Sequence, residues 1–111
     1  MIDEDIGVFS SMIGKKPRQY RLALQRSRWG SCSYRHHLSF NKALIFTPRD
    51  TIRYVVAHEM SHMQHFDHSS RFWHLVETLL PNYQPNRVWL NHHGQDVLAL
   101  AHQWHRLFEK D

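Results

Sequence analysis

Between residues 54 and 73 the chain carries Tyr54-Val55-Val56-Ala57-His58-Glu59-Met60-Ser61-His62, then His65, His68 and the pair Phe72-Trp73. His58, Glu59 and His62 form an H-E-x-x-H pattern. On a helix the two histidines stand one turn apart and point the same way, so both can bind one metal ion. Zinc takes imidazole nitrogen readily, and a site with three protein ligands leaves a position open for a water molecule. Glu59, next to the first ligand, is placed to act as the base toward that water. These residues imply a zinc-dependent hydrolase holding one zinc ion, with peptide-bond hydrolysis as the first expectation.

Such a site needs a further protein ligand. His65 lies on the same side of the helix as His58 and His62, but about 10 Å along the axis from His58 at 1.5 Å per residue. Metal–nitrogen bonds of about 2 Å cannot span that on a straight helix, so His65 reads as a surface or supporting residue. His68 lies past the expected helix end, where a turn at Phe66-Asp67 could fold it back over the metal. Glu77 on the following helix is the second candidate, and His74, one turn before it, the weakest. Spacing favours His68 over Glu77. A donor for the developing oxyanion is also usual, and Tyr54, Tyr83, His92 and His93 are all candidates.

The helix that must hold this pattern is amphipathic. With Ile52 at zero and about 100° per residue, Val55, Val56, Met60 and Met63 fall within roughly 80° and form the core-facing stripe. Glu59 falls at about −20°, inside that stripe. A carboxylate there is costly unless it is paired or faces a bound ion. His58 and His62 lie beside the stripe, so the helix presents imidazoles on its rim and a carboxylate between rim and core.

The flanking elements follow from periodicity and punctuation. Ile2, Ile6, Phe9 and Ile13 repeat at helical spacing behind an acidic first turn, and Gly14 ends that helix. Tyr20, Leu22 and Leu24 alternate as in a strand. Gly30 marks a turn or bulge, and Leu38-Ser39-Phe40 and Ala43-Leu44-Ile45-Phe46 read as short strands of a small antiparallel sheet. Thr47 is the expected cap of the central helix and Pro48 its first residue, with the end near Gln64 or His65. A further helix opens at Ser69 or Ser70 and runs to Leu80 before Pro81. The last helix spans Pro85 to Glu109, with Val97, Leu100, Ala101, Trp104, Leu107 and Phe108 as its apolar stripe. The fold class is therefore α+β: a small sheet on an active-site helix, with further helices N- and C-terminal to it.

The 111 residues suit one domain spanning 1–111, and 41% hydrophobic and 13% aromatic residues describe a globular chain. Fourteen Lys and Arg against ten Asp and Glu give a formal charge of +4, too mild and scattered to require a nucleic-acid partner. Cys32, the one cysteine, excludes an internal disulfide and a C-x-x-C metal site. No signal peptide or membrane-spanning apolar run is present, and a cytoplasmic location is the expectation.

The chain resembles the YgjP-like metallopeptidase domain, related to SprT-like and WLM-type zincins. The resemblance rests on Arg28-Trp29-Gly30-Ser31-Cys32-Ser33, Leu38-Ser39-Phe40-Asn41 with Pro48, Tyr54 through His62, Asp67-His68-Ser69, Phe72-Trp73 and Pro81-Asn82-Tyr83. It covers roughly residues 20–95. It implies a zincin-like fold, His58, His62 and His68 as zinc ligands, and Glu59 as catalytic base. Two departures stand out. Asp67 replaces a frequent Asn, and both suit a turn. Longer family members carry a β-rich N-terminal half, whereas only a short helical segment precedes the first strand here. Substrate contacts from that half would be missing, or the chain is a minimal or truncated form. Residue by residue, Trp29, Phe72 and Trp73 read as core, Gly30 as a site of close backbone approach, and Cys32 as a buried small residue. Asn41 reads either as a hydrogen-bond partner for a ligand histidine or as a turn residue.

A peptide or protein substrate is the leading expectation. A zinc hydrolase of a non-peptide bond, such as a nucleotide phosphoanhydride, is the alternative, although no convergent Arg/Lys set or Gly-rich loop for phosphate is evident. A DNA-associated protease module of the SprT-like kind is a third reading, and it predicts salt-sensitive DNA binding. Substrate identity and oligomeric state are not encoded in any recognisable pattern.

Overall fold

The computed structural model describes residues 1–108. Helix α1 covers Ile2–Ile13 and ends at Gly14, whose left-handed backbone (φ 83°) lets its N–H reach the Ser10 carbonyl. Three short strands follow: β1 Gln19–Ala23, β2 Gly30–Cys32 and β3 His37–Asn41. A 3-10 turn at Lys42–Phe46 leads into α2, Arg49–Ser61, and then into α3, Ser70–Leu79, and α4, Gln84–Phe108. The architecture is α+β, four helices around a small sheet. Glu109 and the Phe108 side chain, both assigned to the last helix from the sequence, lie outside the described residues.

The sheet is mixed, not antiparallel as expected. Its order is β1-β3-β2, with β2 antiparallel to β3 and β1 parallel to it. One buried side chain ties the connection between β1 and β2 to the end of β3. Asn41, with no exposed surface, donates from Nδ2 to the carbonyls of Gln25 (3.1 Å) and Arg28 (2.8 Å). Its backbone N–H reaches the Trp29 carbonyl at 2.9 Å. The loop after β1 is thereby pinned across the end of β3, so β2 returns on the far edge of β3 and β1 is left on the near one. The β2–β3 turn is closed by Ser33 Oγ, which accepts from the N–H groups of Arg35 and His37. His36 takes a left-handed conformation (φ 62°) within it.

Asn41 also explains why Ala43 to Phe46 do not form a strand. Its Oδ1 accepts from the Ala43 N–H at 2.9 Å, capping the 3-10 turn. Ala43 and Leu44 are buried together while Ile45 and Phe46 are exposed together, which is a helical grouping and not an alternation. Thr47 ends this turn, its hydroxyl donating to the Leu44 carbonyl at 2.7 Å, so the cap of α2 moves one residue on, to Pro48.

Helix α2 is the centre of the molecule. Ile52, Val55, Val56, Met60 and Met63 are buried as the helical wheel requires, together with Leu38, Phe40, Phe72 and Val76 from the sheet and α3. Helix α1 is tied to it by Asp5, buried, whose carboxylate takes both guanidinium nitrogens of Arg49 at 2.7 Å. Helix α4 runs unbroken through Gly94, but its buried face differs from the expected stripe. Gly94, Leu98 and Ala101 face inward, whereas Leu100, Trp104 and Leu107 are exposed. The contact is chosen by Trp29, whose Nε1 would lie 3.3 Å from a Cβ at Gly94. No described helix is long and apolar enough to cross a membrane.

Candidate metal centre

The α-helical bonding of α2 stops at Ser61, short of the expected Gln64 or His65. The chain continues for one tighter turn, with His62 N–H on the Glu59 carbonyl and Met63 N–H on the Met60 carbonyl. His62 therefore stays stacked one turn above His58, their ring centroids 5.0 Å apart. The chain then reverses at Phe66 to Ser69. Ser69 N–H donates to Asp67 Oδ1, and Ser69 Oγ accepts from Phe72 N–H to cap α3. This turn carries His68 back over α2, where its ring lies 5.3 Å from that of His58 and 4.9 Å from that of His62.

One potential ligand atom from each of His58, His62 and His68 can be chosen so that all lie within 4.8 Å of one another. A tetrahedral zinc with bonds of about 2.0 Å requires nitrogens about 3.3 Å apart, so side-chain adjustment of at most about 1.5 Å closes the set. The orientation also fits. His62 Nδ1 donates to the His65 carbonyl at 2.9 Å, and His58 Nδ1 lies 3.2 Å from Glu59 Oε2. Both bonds leave Nε2 for a metal, the tautomer such ligands need. His65 thus contributes its backbone and not its ring. Glu77 and His74 are exposed on α3 and belong to no metal-capable group among the described residues.

Phe72 is the floor of the cluster. It has no exposed surface, and its ring centroid lies 5.0, 4.4 and 5.1 Å from those of His58, His62 and His68. Burial holds His62 below the ordinary histidine pKa, with the neighbouring His58 and His68 adding to the effect, so it is neutral and ready to ligate at neutral pH.

Glu59 is 6% exposed, in line with its place inside the apolar stripe. A Cβ added to Gly30 would lie 2.8 Å from its Cγ and 3.1 Å from the Ser39 carbonyl oxygen. Strand β2 therefore passes directly over the carboxylate, and glycine is the residue that permits it. Cys32, on the same strand, is half-buried. Burial, with Glu59's charge in support, pushes its thiol up to about 11, which fits a packing residue and not a nucleophile.

A cleft of about 650 Å³ opens over this cluster. Its lining includes His58, Glu59, His68, Tyr54, Trp73 and Gly30. Tyr54 is the oxyanion-donor candidate that the fold brings to the cleft together with Glu59; Tyr83, His92 and His93 are not in the lining. Burial pushes its phenol up to about 12, so it remains a proton donor. Asn41 makes its contacts to the 25–28 loop and Ala43, which settles its role as a turn residue. Sequence reasoning missed Arg87, Leu90 and Asn91, which α4 delivers to the lining. They carry no local signature, because it is the packing of α4 on α2, the 3-10 turn and Trp29 that brings them to the site.

The model of the YgjP-like metallopeptidase domain matches residues 1–93. The chain belongs to the YgjP-like metallopeptidase domain family. The match takes in α1, which lies outside the motifs that carry the resemblance in sequence. No curated protein matches the chain. Among solved structures, this YgjP-like chain is similar to the crystal structure of the metallopeptidase zymogen of Pyrococcus abyssi abylysin. The TM-score is 0.70 at 18% identity, covering 82% of this chain and 94% of that one. At that identity the likeness is one of fold.

Proposed function

We propose that this YgjP-like domain is a zinc-dependent peptidase in which His58, His62 and His68 hold one zinc ion and Glu59 is the general base. The observation that carries the reading is the convergence of three imidazoles beside a buried carboxylate, with His58, His68 and Glu59 in the lining of an open cleft. When bound, zinc supplies Lewis acidity toward a carbonyl and toward water. The rest of the work falls to the chain. Glu59, packed beneath Gly30, takes the proton of the attacking water and returns it to the leaving amine. Its bond to His58 keeps it aimed at the cleft. Tyr54, protonated and with no hydrogen-bond partner for its hydroxyl among the described residues, donates to the substrate oxygen as charge develops there.

The test has two parts. Purified protein should hold zinc near one equivalent by elemental analysis, and His58→Ala, His62→Ala and His68→Ala should each lose it. Glu59→Gln should keep zinc and lose peptide cleavage. Full zinc content in the histidine variants would end the ligand assignment, and unchanged cleavage by Glu59→Gln would remove it from the base role.

A further inference from the structure

The lining of the cleft holds one carboxylate, Glu59, and two guanidiniums, Arg28 and Arg87. Both arginines are exposed, and neither forms an ion pair among the described residues. Arg49 and Arg53, away from the cleft, both reach Asp5. The two cleft arginines thus carry charge that the fold does not neutralise.

Arg87 is the better positioned of the two. Its guanidinium carbon lies over the Trp73 ring, 4.3 Å from the centroid. Trp73 stacks on Tyr83 at 5.6 Å, and Tyr83 on Tyr54 at 6.0 Å, so the base under Arg87 is a packed aromatic wall. The wall leads to the imidazoles, because the Trp73 ring lies 5.8 Å from that of His58. By these distances the guanidinium is at most about 10 Å from the His58 ring, the reach of roughly three extended residues. Arg87 also acts on the Tyr54 phenol, opposing the upward push of burial. A guanidinium laid over a ring keeps its edge N–H groups free, and their fork matches a carboxylate. Arg87 sits near the start of α4, where the helix dipole disfavours a cation. Helix stability therefore does not account for it.

We propose that Arg87, with Arg28 in the same cleft lining, is a substrate-anchoring site that binds a carboxylate of the peptide within about three residues of the scissile bond. The proposal rests on the peptidase reading and adds the substrate class: peptides carrying a carboxylate at that place. Two sources share this chemistry, an acidic side chain and the free C-terminus.

Binding to the Glu59→Gln protein, titrated through tryptophan fluorescence, separates them. The probes are a hexapeptide with a central Glu and free C-terminus, its Glu-to-Gln analogue, its C-terminal amide, and inorganic pyrophosphate. The expected result is at least tenfold weaker binding for one of the two neutralised peptides. Loss with Gln assigns an acidic side chain, and loss with the amide assigns the C-terminus. Arg87→Gln should remove that difference and Arg87→Lys should keep part of it. A residue that merely shields Trp73 would not discriminate acid from amide. Equal binding of all three peptides, no peptide binding, a difference that survives Arg87→Gln, or tighter binding of pyrophosphate than of any peptide overturns the proposal. Zinc content is measured on the same samples. A protein without zinc that still prefers the carboxylate separates failure of the metal reading from failure of this one.

Discussion

Gly30 and Glu59 show how little room the site leaves at the level of single residues. An alanine methyl at position 30 would need to occupy space 2.8 Å from Glu59 Cγ, and the Ser39 carbonyl at 3.1 Å blocks the alternative of lifting the strand. The side chain that can move is Glu59. Gly30→Ala is therefore expected to keep its zinc, because it touches no imidazole, and to lose about 100-fold in turnover, the scale of a displacement near 1 Å in a catalytic group. Elemental analysis and initial rates on one sample check this; full turnover at full zinc content would show that Glu59's placement is not critical. The candidate histidine cluster was legible in the sequence because it is local: His58 and Glu59 lie on α2, His62 in the turn that ends it, and Asp67-His68-Ser69 in a turn that returns to it. What was not legible joins distant segments: Glu59 as the group beneath Gly30, whose close approach was itself expected, and Arg87 over Trp73.

At the level of elements, helices were read more reliably than strands, for a physical reason. The period of α1 and α2 is written in many residues each, whereas β2 spans Gly30–Cys32 and has no alternation to display. The segment Ala43 to Phe46 has strand-like composition, yet one upstream side chain, Asn41, caps it as a 3-10 helix and also ties the loop after β1 to the end of β3. Asn41→Ala should cost about 3 kcal/mol, since it removes three short or moderate hydrogen bonds and takes that partner from the Arg28 carbonyl and the buried Ala43 N–H, while the Gln25 carbonyl keeps His102. Urea unfolding measures this, and a cost below about 1 kcal/mol would mean that the loop finds other partners. The α1–α2 clamp makes a separate prediction. Asp5→Asn keeps the shape but weakens the paired bonds from Arg49. Because Arg49 is 38% exposed, solvent screening limits the loss to about 2 kcal/mol. The cleft over the histidine cluster is not part of this contact, so zinc content should not change.

For the molecule as a whole, the proposed ligand set would link metal binding, folding and pH through the same three imidazoles. His58, His62 and His68 come from the end of α2 and the turn into α3, so an ion held by them would join two elements that the unfolded chain leaves apart. An ion at 1,000 times its dissociation constant would add about 4 kcal/mol to stability. Protons oppose this, because a ligand imidazole must be neutral. For the metal-free protein the sign follows from His62, whose folded pKa lies below the ordinary 6.5 through burial first and neighbouring histidines next. Well above pH 6.5 His62 is neutral in both states and contributes no pH dependence. Below it the unfolded chain takes up a proton that the folded chain resists, so stability falls as the pH drops from 6.5 and levels off beneath the folded value. Metal-free wild type should therefore lose stability more steeply between pH 6.5 and 5 than metal-free His62→Gln, while both behave alike between pH 7 and 8. Zinc should raise the melting temperature of the wild type at pH 7.5, lose that effect progressively in acid, and leave His62→Gln nearly unmoved throughout. Thermal unfolding with and without zinc across this range provides the measurement. Parallel acid profiles for the two metal-free proteins would show that His62 carries no burial penalty. An equal zinc shift in both would show that it is not a ligand.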